Sequence, residues 1–219
     1  ANPDWLISVR WGDPVDEEIV GDFGPLGLWA WDFSGYPGAW TQISGVNPEQ
    51  ALAVNDDDDV QDELEVDFGT LGLWRFDAEA DSWRQFSALN PQNGGLKAMM
   101  WSDGAEQGVW SFTGLGVWNF HTDVSGGGPF IAQLSGTTPG LPNVSADFGV
   151  GDIYDELIMV RPSNGTWLCQ GTTYPSVTWP QLSPNDLEGA ARVRFAGDGS
   201  CGLLADFSGT GTDGLWLWD

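Results

Sequence analysis

Residues 22–29 read DFGPLGLW and residues 67–74 read DFGTLGLW, a near-identical octapeptide that returns after 45 residues. A catalytic motif is used once, whereas a folding unit can be copied. Weaker copies decide between these options. The glycine–X–tryptophan core recurs as Gly27-Leu28-Trp29, Gly72-Leu73-Trp74, Gly116-Val117-Trp118, Gly165-Thr166-Trp167 and Gly214-Leu215-Trp216. Successive tryptophans are 45, 44, 49 and 49 residues apart, and five copies at such a period specify a repeat architecture. A kinase reading of Asp-Phe-Gly fails, because no glycine-rich loop with a strand lysine and no His-Arg-Asp segment accompanies it.

The remainder of each unit keeps step with the core. Upstream lie strand-patterned runs such as EEIVGDFG, DELEVDFG and DELIMVRP, and downstream lie AWTQIS, SWRQFS, FIAQLS and TWPQLS. Asn-Pro turns at Asn2-Pro3, Asn47-Pro48 and Asn90-Pro91 precede a further apolar run. Glycine, proline, asparagine and aspartate thus punctuate four short β-patterned runs per unit. Four strands every 44–49 residues match one blade of a β-propeller. The expectation is an all-β, five-bladed β-propeller of four-stranded blades, forming one domain over 1–219. Its blades cover approximately 1–46, 47–89, 90–138, 139–184 and 185–219. A solenoid is the rival, but neither end carries the polar cap that a solenoid needs. The last unit stops at GLWLWD, so the last blade is expected to lack its outer strand.

Composition agrees and sets limits on function. The 31 glycines and 14 tryptophans suit short strands and tight turns, and no long apolar stretch predicts a membrane span. Seven basic against 32 acidic residues give a net charge of −25, which repels phosphates and argues against nucleic-acid partners. Cys169 and Cys201 have no metal-ligand spacing, and a disulfide or two buried thiols are both open. No targeting peptide begins the chain. A mature form whose signal peptide has been removed and a cytoplasmic protein are both open, and the chain is read as the former, extracellular or periplasmic.

The most specific chemical candidate is the acidic stretch 55–64, NDDDDVQDEL. Oxygen donors at alternate positions can converge on a hard cation, so Asn55, Asp57, Asp59, Gln61 and Glu63 form a possible Ca2+ set in unit two. Here the sequence resembles the FG-GAP (VCBS) repeat family, whose Asp-rich calcium loops lead into an Asp-Glu-Leu strand. The resemblance covers the layout of all five units but the loop of only one, and Val60 stands where that family has its bending glycine. It implies a calcium-stabilised propeller. The aspartates Asp22, Asp67 and Asp206 of the repeat are expected to accept hydrogen bonds from nearby backbone or indole N–H groups.

Enzymatic signals are few. His121 is the single histidine and reads as a surface residue, and no nucleophile elbow, metal-binding histidine pair or phosphate loop is present. Paired carboxylates of the glycosidase type carry no distinguishing motif among the 32 acidic residues. The chain therefore reads as a non-enzymatic binding module for a glycan or a protein partner. Its candidate ligand residues are Trp29, Trp74, Trp118, Trp167 and Trp216, which have an alternative role as packing between blades. A second reading is an accessory subunit of a larger complex, docking through its acidic surface or an open blade edge. A glycosidase-like propeller is the third.

Overall fold

A computed structural model describes residues 2–11, 17–32, 38–55, 61–92, 96–100, 106–122, 129–146, 156–173, 176–194, 201–207 and 215–218. The strands form five antiparallel sheets, none of them closed on itself. The first sheet is β1 (Trp5–Val9), β2 (Glu18–Asp22), β3 (Leu28–Asp32) and β4 (Ala39–Ser44) in simple up-and-down order. The second repeats it with β5 (Gln50–Val54), β6 (Glu63–Asp67), β7 (Leu73–Asp77) and β8 (Ser82–Ser87). The third holds β9 (Leu96–Met100), β10 (Glu106–Phe112), β11 (Gly116–Thr122) and β12 (Pro129–Ser135).

In the fourth sheet, β13 (Gly140–Ala146), β14 (Glu156–Val160) and β15 (Thr166–Thr173) are followed by a divided outer edge. Both β16 (Ser176–Thr178) and β17 (Gln181–Ser183) pair with β15. Pro180 falls between them, and a proline has no N–H to continue a ladder. The fifth sheet has three strands, β18 (Leu187–Arg194), β19 (Cys201–Phe207) and β20 (Leu215–Trp218). Among the described residues there is no α-helix, and no helix is long and apolar enough to cross a membrane.

Central strands are buried on both faces. In β6 every residue is buried, with Leu64 and Val66 alternating against Glu63, Glu65 and Asp67. In β14 the run ELIMV is likewise buried throughout. In β6 the period-two alternation puts the apolar residues on one face and polar groups that must find partners on the other, whereas in β14 Leu157 and Met159 serve one core and Ile158 and Val160 the other.

The chain divides into two compact units, the first made of Ala1–Asn93 with His121–Pro129 and the second of Gly94–Phe120 with Phe130–Asp219. In the first unit β1 lies beside β5, and a core of Val9, Trp11, Val20, Leu28, Leu64, Val66, Phe68 and Phe76 joins the two sheets. Polar links reinforce it. Trp11 Nε1 donates to the carbonyl of Asp62 at 2.7 Å, and Arg10 holds the Asp62 carboxylate through its backbone N–H at 2.9 Å and its guanidinium at 2.8 Å. Trp83 Nε1 donates to the carbonyl of Ile43 at 3.1 Å.

In the second unit β13 lies beside both β9 and β18. One core gathers Val109, Val117, Leu134, Leu157, Met159 and Cys169, and another gathers Ile158, Val160, Leu168, Leu187, Leu203, Ala205 and Phe207. Trp179 Nε1 donates to the carbonyl of Leu134 at 3.2 Å, the counterpart of the Trp83 bond in the first unit. Cys169 is a buried free thiol. Burial pushes its pKa up to about 12, so it stays protonated and inert at neutral pH. The side chain of Cys201 lies outside the described residues.

Candidate functional site

The recurrent octapeptide is a turn between the second and third strands of the first and second sheets, and its letters have separate tasks. The aspartate closes the entry: Asp22 Oδ1 accepts from Gly24 N at 2.8 Å and Asp67 Oδ1 from Gly69 N at 2.8 Å. The phenylalanine N–H donates to the glycine that ends the turn, Phe23 to Gly27 at 3.0 Å and Phe68 to Gly72 at 3.0 Å. That last glycine has φ near +80°, with Gly72 at 80° and Gly27 at 78°. It also runs against the outer strand, since a Cβ on Gly72 would sit 2.2 Å from the carbonyl oxygen of Ser87.

The tryptophan then folds back onto its own turn. Trp29 Nε1 donates to the carbonyl of Leu26 at 3.0 Å, and Gln42 from the outer strand donates to the same oxygen at 2.8 Å. Leu71 accepts from Trp74 at 2.9 Å and from Gln85 at 2.9 Å. Leu115 accepts from Trp118 at 3.0 Å and Gln133 at 2.8 Å, and Asn164 from Trp167 at 2.9 Å and Gln181 at 2.9 Å. One carbonyl with two lone pairs thus ties turn, third strand and fourth strand together. The outer strand ends in an equally repeated serine cap, with Ser44, Ser87, Ser135 and Ser183 hydroxyls accepting the N–H two residues on. With its amide nitrogen facing them, Asn47 of the following Asn-Pro pair donates to Gly24 O at 2.7 Å and Asp22 Oδ1 at 3.1 Å.

Four of the five repeated indoles, Trp29, Trp74, Trp118 and Trp167, therefore have fixed orientations. Trp29, Trp74, Trp118 and Trp167 are half-buried, and Trp216 on β20 is 54% exposed. The indole bonds that cross from one sheet to the next come instead from Trp11, Trp83 and Trp179. Trp83 and Trp179 stand two residues before the recurrent outer-strand glutamine, a W-x-Q spacing that Trp40 shares.

Of the acidic stretch, Asp57 and Asp59 lie outside the described residues, as does Val60. Glu63 opens β6, 3% exposed, with Oε1 3.0 Å from the Arg75 guanidinium. Asn55 and Gln61 are half-buried at the two ends of the stretch. Among the described residues no group of three or more His, Cys, Asp or Glu side chains is arranged to hold a metal ion. The side chain of His121 is also outside the described residues.

Asp67 is fully buried and accepts from Gly69 N at 2.8 Å and Gln50 Nε2 at 3.2 Å. Burial pushes its pKa up to about 6, opposed by the two hydrogen bonds and assisted by the nearby Glu49 charge. Because the folded value exceeds the unfolded one, the contribution of Asp67 to stability is complete below pH ~4 and lost as pH rises through about 6. Asp67→Asn keeps an oxygen for Gly69 and removes the charge. It is expected to stabilise the protein by about 1 kcal/mol at pH 7.5, with the advantage over wild type vanishing below pH ~4. Thermal melts of both proteins across that range measure the difference.

The fourth sheet departs from the pattern in two adjacent places. Val160 and Arg161 stand where the other copies have Asp22-Phe23, Asp67-Phe68, Ser111-Phe112 and Asp206-Phe207. The Arg161 guanidinium carbon lies 4.6 Å from the Trp167 ring centroid and 5.1 Å from that of Trp179. It takes over the ring contacts that Phe23 makes with Trp40 at 5.0 Å and Phe68 with Trp83 at 5.3 Å. The lost aspartate is replaced from the outer loop, where Asp186 accepts from Ser163 N at 3.1 Å and Gly165 N at 3.1 Å.

A scan against protein-family models returns no match for this chain, and a search of curated proteins returns none either.

Proposed function

We propose that this chain is a non-enzymatic binding module, a five-bladed propeller of FG-GAP (VCBS) type that recognises a glycan or a protein partner through grooves between its blades. The ring is supported by the five repeat units and by the first strands lying side by side within each compact unit, β1 with β5 and β9 with β13 and β18. The observation that carries the binding reading is the recurrent half-buried indole locked onto its own turn. A stacking platform held rigid before binding loses little conformational entropy when a sugar ring or apolar side chain settles on it. Its N–H is already satisfied, so the ring offers its apolar surface. An extracellular or periplasmic setting is part of the same proposal.

A glycan array with fluorescence-labelled protein tests this reading. Binding to one glycan class, with a shift in tryptophan emission, is expected. Silence across the array, together with recovery of the protein from its source in a stable complex, would move the function to the accessory-subunit reading. That alternative draws on the outer edge of β20, where Trp216 is 54% and Leu217 57% exposed and no fourth strand pairs among the described residues.

Calcium at the 55–63 loop belongs to the same proposal. Asn55, Asp57, Asp59 and Gln61 supply hard oxygen donors, and Glu63 could join them only in competition with Arg75. Millimolar calcium is expected to raise the melting temperature and a chelator to lower it, by about 2–3 kcal/mol of stabilisation at a hundredfold excess over Kd. Superimposable melts in the two conditions remove calcium from the account.

A further inference from the structure

The turn of the fourth sheet carries a cation, Arg161, that forms no ion pair among the described residues. Chains this acidic ordinarily neutralise their few arginines, as Arg10 is joined to Asp62 at 2.8 Å and Arg75 to Glu63 at 3.0 Å. Arg161 is different. Its backbone is fixed by bonds to Gly165 and Asn164, while its guanidinium meets two indole rings and no hydrogen-bond acceptor among the described residues. The Nε is buried and has no partner. The neighbouring carboxylate has been removed from the pattern by Val160, and Asp186 turns its oxygens to backbone amides of the same loop.

An indole ring attracts a guanidinium through its face, but it cannot accept the in-plane N–H bonds, which point outward from the guanidinium edge. A carboxylate is the group whose two oxygens match that fork. We propose that Arg161, framed by Trp167 and Trp179, binds the carboxylate of an acidic sugar, such as a uronic or sialic acid residue of a glycan. This rests on the binding-module reading and names the class of ligand for one of its grooves. The half-buried edges of Trp167 and Trp179 give the pyranose ring an apolar rim beside the charged contact. The net charge of −25 does not prevent this, since the repulsion of distant carboxylates is screened beyond about 8 Å at physiological salt. Burial lowers the pKa of Arg161 from its ordinary value, a direction that a bound anion reverses.

The test is calorimetric titration of the whole chain with a galacturonic-acid tetramer, sialyllactose, their neutral counterparts (a galactose tetramer and lactose) and a Glu-rich peptide. Arg161→Phe is the main variant, because four other copies of the turn carry phenylalanine there. Its melting temperature should equal or exceed that of wild type. Arg161→Lys is the second variant, retaining charge without the fork. The expected result is binding of an acidic saccharide but not its neutral counterpart, weakened about tenfold or more by Arg161→Phe and less by Arg161→Lys. Wild-type affinity in Arg161→Phe would overturn the site. Equal binding of the neutral saccharides would overturn acid selectivity while the module reading stands. Arg161-dependent binding of a Glu-rich peptide with no saccharide bound would overturn both the acidic-sugar assignment and the glycan form of the module, as would silence with every probe.

Discussion

Gly72→Ala is expected to destabilise the protein by at least about 3 kcal/mol, the sum of an excluded backbone conformation and a backbone collision. Gly72 has φ 80° and ψ −163°, a region in which an L side chain is strongly disfavoured. The added Cβ would also sit 2.2 Å from the Ser87 carbonyl oxygen and 2.9 Å from the Ala88 carbonyl carbon. Neither atom is the mobile end of a side chain. Relief requires the outer strand to move away, which breaks the bond from Gln85 to Leu71 and loosens the Trp74 platform. Two other glycines separate these effects. Gly114 has φ 78° but nothing within 4 Å of its Cβ position, so Gly114→Ala should cost only about 1–2 kcal/mol. Gly45 has no positive φ, and its nearest neighbour is the flexible Gln42 amide at 3.8 Å, so Gly45→Ala should stay within about 0.5 kcal/mol of wild type. Urea unfolding of the three variants checks the order. Equal effects at Gly72 and Gly45 would mean that the close approach of turn to outer strand is absent in solution.

This graded role of the glycines bears on what could be read from the letters alone. A repeated octapeptide announces a repeated turn, because glycine at a fixed offset has few other reasons to recur. The alternation in ELEVD and the continuous apolar run LIMV likewise announce central strands, and both strands are buried in the structure. The aspartate of the turn was legible too, since a short acceptor before a tight turn has a nearby amide to cap, and Asp22 and Asp67 do so. The partners of the indoles were not. Whether Trp74 or Trp83 reaches the neighbouring sheet depends on strand register, and Trp83 opposite Phe76 is the one that crosses. Repetition singles out Trp74, which packs against the same core as Trp83, but the hydrogen bond to the neighbouring sheet comes from Trp83. The Val160–Arg161 pair was visible as a lapse in the pattern. Its meaning required knowing that position 161 faces Trp179 across the turn, a contact between residues far apart in the repeat.

Removing Arg75 is the other large effect. Arg75 is directly opposite Glu65 in the β6–β7 register and 3.0 Å from Glu63 Oε1, and Glu65 is fully buried. The side chains of Arg75 and Glu63 are only 7% and 4% exposed. Two carboxylates in such a place need a cation, because the transfer of an uncompensated charge out of water costs several kcal/mol. Arg75→Met fills similar space without the charge and should cost about 3–5 kcal/mol at pH 7. The deficit should shrink on acidification, because protonated carboxyls no longer need the guanidinium; by linkage, the variant loses stability as pH rises and the acids ionise. Adding Glu63→Met to Arg75→Met should recover part of the loss, since a buried pair replaced whole by apolar groups of similar volume is often neutral. The same variant also interrogates the metal. On the proposed calcium reading, a Glu63 no longer paired with Arg75 could turn to the 55–63 loop, where a calcium ion would compensate its charge. Millimolar calcium should then restore stability to Arg75→Met more than it stabilises wild type. Equal calcium responses in the two proteins would assign Glu63 to the ion pair alone and remove it from the proposed calcium set.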